Sequence, residues 1–415
     1  MGVKFAHIAD CHLGGWRIPE LQEVNIRAFD YTIDFCIRER VNIVLIAGDL
    51  LDTSLPNIEI IKKATEKLRH LKEAGIKAYI VPGSHDFSLS GKSMIDVLEK
   101  AGLCVNVANN VTLGAQNGSI KLNFHKDEEN GLLIAGICGR KGGLEEEVLK
   151  NLNVSEAERA LEKEDGLKIF LLHTAIKELT TEMPYLEPLS FKDLPKGFHY
   201  YAAGHIHTPA RLRNGSSLYA YSGVLFPNNF NELVTLEGGS FLLLEFDGKE
   251  LTHTEEKIVL KKVTFLDIFA NNKSSKELES EIIEKITDLE LKDKILAIRL
   301  KGVLKSGGIS DINFQSISEL AKEKECYAIV KNVSGLVVKE HKAEMAETKN
   351  TVDIEREVIK KYLSVLDKSE IKEKKMIFDL LMVSLALEKL DGERNNDFEK
   401  RILEGIFNSK IFNEG

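Results

Sequence analysis

The chain of 415 residues is 43% hydrophobic and 29% charged, with a formal net charge of −9. This composition suits a soluble globular protein of two or three domains and excludes one that coats nucleic acid by bulk positive charge. A local site is still open to it, because carboxylates that count as negative in the sum become locally positive once a metal ion binds.

The opening MGVKFAHIAD lacks an apolar signal core, and no apolar run reaches the roughly 18 residues of a membrane span, so a cytoplasmic protein is expected. Cys11, Cys36, Cys104, Cys138 and Cys326 are odd in number and form no CxxC pair, so reduced thiols are expected and a cysteine metal site is not. Short apolar runs at 3–9, 41–47, 76–81, 132–137, 167–172, 198–203 and 241–246 read as strands by length and by β-branched and aromatic content. Amphipathic helices lie between the early ones, as over 57–74, where Ile58, Ile61, Ala64, Leu68 and Leu71 recur at helical spacing. Strand and helix in alternation predict an α/β fold of layered sheets.

From about 257 to 338 the pattern reads strand, helix, strand, helix, strand, a small α+β unit. Its first helix opens on Ser274 and Glu277 at capping-box spacing, and KILAIRLKG (294–302) is a strand. The polar stretch 339–352 predicts a linker. Beyond it, amphipathic helices carry Ile354, Val358, Leu363 and Leu366, then Ile377, Leu380, Leu381, Ser384 and Leu387, with a short third over 397–407. Helices this apolar after a linker call for a partner surface, with folding back onto the preceding domains as the alternative.

Five motifs each follow an apolar strand: Asp10 and His12 in ADCHLGG, Asp49 and Asp52 in AGDLLD, His85 and Asp86 in PGSHD, His173 in LLHT, and His205 and His207 in AGHIH. Carboxyl ends of strands in α/β sheets are where ligands bind, so segments scattered over the chain can converge. The i, i+2 spacing of Asp10 with His12, and of His205 with His207, aims both members to one side of an extended backbone. Carboxylates and imidazoles without thiolates suit two borderline or hard cations, and such a pair suits phosphoester hydrolysis. Singly each motif is weak; jointly they are specific.

The order DxH, GDxxD, G-(N)-HD, H, GHxH resembles the signature of the calcineurin-like metallophosphoesterase superfamily. Within it, KFAHIADCHLGG, GDLLD and the later small unit most resemble the SbcD/meiotic recombination 11 nucleases, which repair DNA double-strand breaks. That resemblance implies a metallophosphoesterase β-sandwich nuclease domain over 1–250, a DNA-capping α+β domain over 251–338, the linker 339–352 and a helical ATPase-binding region over 353–415. It implies two Mn2+ ions per chain, with Mg2+, Fe2+ or Zn2+ as substitutes. Asp10, His12, Asp49 and His207 would hold one ion, and Asp49, His173 and His205 the other. His85 would be the general acid with Asp86 fixing its tautomer. Ser84 stands where the family has Asn, and its hydroxyl or a water would supply the missing neutral oxygen to a looser second metal site. His7, Asp52, Arg17 and Arg140 are expected in supporting or DNA-contacting places, and Lys141, Arg211 and Arg213 also fall near the motif ends.

The implied partners are DNA ends, an SMC-like coiled-coil ABC-type ATPase bound through 353–407, and a second copy of the chain packed through helices near 57–74 and 93–101, all in a nucleoid-associated protein. Manganese-dependent 3'-5' exonuclease and single-strand endonuclease activity is the expected function. Two alternatives stand beside it: a phosphodiesterase of small phosphoesters, which would have little use for the tail, and a DNA-end-bridging scaffold weakened at Ser84. The phosphoprotein phosphatases of the superfamily carry an arginine soon after GDxxD and read GNHE, whereas this chain reads GDLLDTSLP and GSHD.

Overall fold

The computed structural model describes residues 2–87, 93–108, 111–113, 120–139, 151–180 and 188–338. The linker 339–352, the helices expected over 353–415, Arg140 and Lys141 lie outside the described residues.

Four strands come first along the chain: β1 (Val3–Ile8), β2 (Ile43–Ala47), β3 (Lys77–Val81) and β4 (Val105–Asn106), paired in parallel. A small antiparallel pair follows, β5 (Val111–Leu113) with β6 (Ile120–Leu122). Next, β7 (His125–Asp127), β8 (Leu132–Gly136), β9 (Leu167–His173), β10 (Tyr200–Gly204), β11 (Ala210–Asn214) and β12 (Ser217–Tyr221) build a second sheet in the order β11-β12-β10-β9-β8-β7. The chain then returns to the first sheet with β13 (Gly239–Phe246) and β14 (Leu251–Ile258), giving the order β14-β13-β1-β2-β3-β4. Because β14 pairs with β13, the first sheet runs past the boundary expected at 250.

The near-continuous apolar strands are buried on both faces, as parallel strands between layers require. Phe5, Leu45 and Tyr79 of the first sheet share a core with Ile169, Leu171, Tyr200 and Ala202 of the second. The helices Pro19–Arg38, Ile58–Glu73 and Met94–Lys100 add their apolar residues to a core outside the first sheet, and Val154–Glu162 does so outside the second. Burying each large side chain contributes about 1.5–3 kcal/mol. This is the expected α/β sandwich flanked by helices.

One helical stripe differs from its reading in sequence. In Ile58–Glu73 the buried face is Ile60, Ala64, Leu68 and Leu71, whereas Ile58 is 79% exposed. Asn57 caps this helix by accepting from the Glu59 N–H at 2.8 Å, and Ile60 continues the i, i+4 row that Ile58 leaves.

The last described elements are β15 (Val263–Phe269), the helix Ser275–Thr287, β16 (Ile295–Leu304), the helix Phe314–Glu323 and β17 (Ala328–Val338). Their strands form a parallel sheet with β16 in the middle. The Ser274 and Glu277 capping box is formed, with Glu277 N–H donating to Ser274 Oγ at 3.3 Å and Ser274 N–H donating to Glu277 Oε2 at 2.7 Å. Both helices contribute to the core of this unit through Leu278, Ile282 and Ile317. Ile295, Ala328 and Val330 instead join the core outside the first sheet, and Tyr327 Oη donates to the Glu20 carbonyl at 3.2 Å.

His7 was expected to support the site; its place is in the interior between the layers. Its Nδ1 lies 2.7 Å from Tyr200 Oη, which links β1 to β10, and burial pushes its pKa down to about 3. The folded state therefore refuses a proton that the unfolded chain accepts below its ordinary value, so stability falls as pH drops from about 6.5 toward 3. The contribution has a slope of at most about 1.4 kcal/mol per pH unit. His7→Gln should show a shallower loss of stability between pH 6 and 4 in urea titrations; identical slopes would contradict this role.

Candidate metal centre

The parallel pairing of β1, β2 and β3 brings the first three motifs together, because the loops leaving adjacent strands stay adjacent. Asp10 N–H donates to the Gly48 carbonyl at 3.1 Å, His12 N–H to Asp49 at 3.0 Å and Leu13 N–H to Leu50 at 3.1 Å, so the first motif loop zips along the second. Asn25 of the first helix holds that loop by donating to the Cys11 carbonyl at 2.9 Å. Across the layers, His205 N–H donates to both oxygens of Asp10 at 3.0 and 3.1 Å.

The expected extended backbone is not what aims these side chains. Asp10, His12, Asp49 and His205 have φ of 49°, 42°, 48° and 90°, in the left-handed region. Cys11 and Ile206 are nevertheless buried in the flanking cores, so the pairs converge by turning rather than by strand alternation. Two glycines make room for the convergence. A Cβ on Gly48, itself at φ +86°, would lie 2.1 Å from His173 Nδ1, and a Cβ on Gly83 would lie 2.2 Å from Asp49 Oδ1.

The ring tautomers follow from acceptors that cannot donate. His12 Nδ1 donates to Asp52 Oδ1 at 3.1 Å, His207 Nδ1 to Glu232 Oε1 at 2.8 Å, and His173 Nδ1 to the Ala47 carbonyl at 2.9 Å. In each ring Nε2 is left to the interior. His12 Nε2 and His207 Nε2 stand 3.2 Å apart, and His173 Nε2 lies 3.1 Å from Asp49 Oδ2 with no hydrogen-bond partner. Two facing imidazole lone pairs and an orphaned buried nitrogen beside a carboxylate fit cation binding, with outer carboxylates and carbonyls orienting the rings. Asp10, His12 and His207 form one cluster whose candidate ligand atoms lie within 4.8 Å of one another, and Asp10, Asp49 and His173 form another. A third, His12, Asp52 and His85, overlaps the first.

Electrostatics agree with a site built for positive charge. Burial opposes ionisation of Asp49, yet His173 and His12 hold its carboxyl below the usual range. Burial works against a charged His173 as well, but Asp49 and Asp10 outweigh it and raise that ring to about 10. Burial and then the neighbouring His173 push His205 down to about 4. The His205 ring stands 5.2 Å from that of His173, beside the clusters rather than within any of them.

The PGSHD turn departs from its expected division of labour. Asp86 does not orient His85; it is fully buried and accepts the Gly83, Leu51 and Leu50 N–H groups at 2.9, 3.0 and 3.3 Å. Burial and the nearby Asp49 push it up to about 7. It is the peg that fixes the turn, and the His85 ring is oriented instead by the Asp52 carbonyl, which accepts from Nδ1 at 2.7 Å. His85 N–H holds Asp49 Oδ1 at 2.7 Å, and Ser84 Oγ donates to Asp49 Oδ2 at 3.4 Å. Ser84 thus brings an oxygen to the carboxylate at the centre of the site.

Asp52 accepts from His12 and, at 3.3 Å, from Asn228 Nδ2. Arg17 is exposed. Arg211 is tied to Glu255 at 2.6 Å and Arg213 to the Leu251 carbonyl. Sequence reading missed Glu232 and Asn228. They belong to no motif, and only the Asn-x-x-Glu cap of the helix Phe230–Thr235 marks the place.

The layered sandwich with imidazoles and carboxylates at its strand ends defines a metal-dependent phosphoesterase, and residues 3–209 match the family model of calcineurin-like phosphoesterases. Three archaeal proteins named DNA double-strand break repair protein Mre11 are similar to it. That of Methanocaldococcus jannaschii is 30% identical over 287 residues, covering 66% of this chain and 71% of that one. That of Archaeoglobus fulgidus is 26% identical over 347 residues, covering 79% and 74%. That of Aeropyrum pernix is 30% identical over 249 residues, covering 59% of this chain and 58% of its own length. This chain belongs to the Mre11 family.

Adding a divalent cation should raise the melting temperature of the metal-free protein, since an ion that binds only the folded state stabilises it. Gly83→Ala, which displaces Asp49, should lose most of that increment; equal increments in both proteins would contradict the placement of Asp49 in the centre.

Proposed function

We propose that this chain is a manganese-dependent DNA nuclease, a 3'-5' exonuclease and single-strand endonuclease that processes double-strand breaks. The observation that carries the reading is the convergence of Asp10, His12, Asp49, His173 and His207 beside a half-exposed His85. The family's repair proteins support DNA as the substrate. Asp10, His12, Asp49 and His207 would hold one ion, Asp49 and His173 with His205 and Ser84 the other. Bound there, the ions supply Lewis acidity to the phosphate and acidify water.

The protein's own groups do the rest. Asp49 ties the two halves of the site together, since its Oδ2 lies 3.1 Å from His173 Nε2 and 3.9 Å from His12 Nε2. His85, with Nδ1–H committed to the Asp52 carbonyl, would give the leaving oxygen its Nε2 proton from the imidazolium form and be left as the neutral Nδ1–H ring. The protein acts on DNA in the cytoplasm, at the nucleoid, with an SMC-like ATPase bound through 353–407. Among the described residues no helix is long and apolar enough to cross a membrane.

Pairing of two copies is supported by exposed apolar side chains on the helices expected to dimerise, Ile58 at 79% and Val97 at 57% exposure, with Leu55 at 80% just before the first. Changing Ile58 and Val97 to Asp should shift sedimentation from dimer to monomer with the metal centre intact; an unchanged oligomer would remove these helices from the interface. On 3'-ended duplex DNA with Mn2+, His85→Ala should lower turnover by about 100-fold or more while leaving metal binding in place. No cleavage by the wild type, or equal cleavage by both, would overturn the mechanism.

A further inference from the structure

The metal ligands rest on carboxylates, and two of those carboxylates are joined by one short segment. Glu232 Oε1 accepts from His207 Nδ1 at 2.8 Å, while its Oε2 accepts the Asn228 N–H at 2.8 Å. The Asn228 side chain donates to Asp52 Oδ1 at 3.3 Å, and Asp52 accepts from His12 Nδ1 at 3.1 Å. A continuous path His207, Glu232, Asn228, Asp52, His12 therefore runs behind two rings whose Nε2 atoms face each other at 3.2 Å. Trp16 Nε1 pins the same segment through the Pro227 carbonyl at 2.8 Å.

Glu232 is also held at its own backbone. Asn229 caps the helix Phe230–Thr235 by accepting the Glu232 N–H at 3.0 Å, and its amide donates to Glu232 Oε1. This helix packs against all three strands of the small sheet, and the Phe230 and Phe265 rings meet with centroids 6.4 Å apart. Displacement of the small sheet would be passed through one turn of helix to the carboxylate that orients His207.

We infer that Glu232 is a positioning residue for one of the two metal positions, the one built on Asp10, His12 and His207, and that it couples this position to the seating of the small sheet. The role rests on the metal-centre reading proposed above. Glu232 fixes the His207 tautomer and ring plane, and Asn228 relays the same constraint to His12 through Asp52. His173 is oriented independently by the Ala47 carbonyl, so the second position lies off this path.

The test is a Mn2+ titration of the full chain followed by electron paramagnetic resonance, which reads bound metal without any DNA. Glu232→Ala should weaken one of the two Mn2+ equivalents by about 10-fold to 100-fold, as loss of an outer partner does. Glu232→Gln, which keeps an oxygen acceptor, should recover part of that affinity. Phe265→Ala, remote from every ligand, should weaken the same equivalent, with metal-free melting temperatures serving as the control for folding. Unchanged affinity in Glu232→Ala, or equal weakening of both equivalents with a matching fall in melting temperature, would overturn the positioning role. Unchanged affinity in Phe265→Ala would overturn the coupling. A wild type that binds no Mn2+ would overturn the metal centre and this role together, whereas a metal-binding wild type that leaves DNA intact would overturn only the nuclease reading.

Discussion

The structure turns on the burial of Asp10, Asp49 and Asp86 at one end of the sandwich. Among the described residues their ion-pair partners are imidazoles, and Asp86 is held by main-chain N–H groups. Carboxylates withdrawn from water without lysine or arginine partners are costly unless a cation joins them. Left-handed backbone at four of the residues gathered there adds to the cost, of order 1–3 kcal/mol at each strained position. A fold tolerates such a site when the surrounding structure over-determines it, and here the two sheets, the zipped motif loops and the Asp86 peg all do so.

From that constraint the rest of the architecture follows. Parallel strands β1, β2 and β3 deliver three loops side by side, while β9 and β10 deliver His173 and His205 from the facing sheet. Apolar cores on either side of each sheet hold the strand ends in register. His85 is the contrast: half-exposed, oriented by a main-chain carbonyl and placed at the edge of the buried charges. Asp10, His12, Asp49 and His173 are buried, and His85, proposed above as the proton donor, stands at their edge.

Much of this was legible in the residues alone, because strand, turn and ligand occur together in short motifs. AGDLLD and PGSHD each announce a strand end, a glycine needed for close approach, and side chains with metal or acid-base chemistry. The capping box at Ser274 and Glu277 was equally local. What escaped depends on pairing across long separations. Glu232 supports His207 from 25 residues away and Asn228 reaches Asp52 across 176, with no periodicity to announce either contact. The left-handed turns at Asp10 and His12 were hidden too, since i, i+2 spacing looks the same in a strand and in a turn. Asp86 shows the limit from the other side: a carboxylate next to a histidine in sequence serves the backbone, and the carbonyl of Asp52 serves the ring.

The central proposal is that two cations would share the Asp49 carboxylate. Anomalous scattering from a crystal of the Mn2+-loaded protein measures it directly. Two manganese peaks should flank Asp49, one beside Asp10, His12 and His207 and the other beside His173. A single peak, or peaks away from Asp49, would contradict the account.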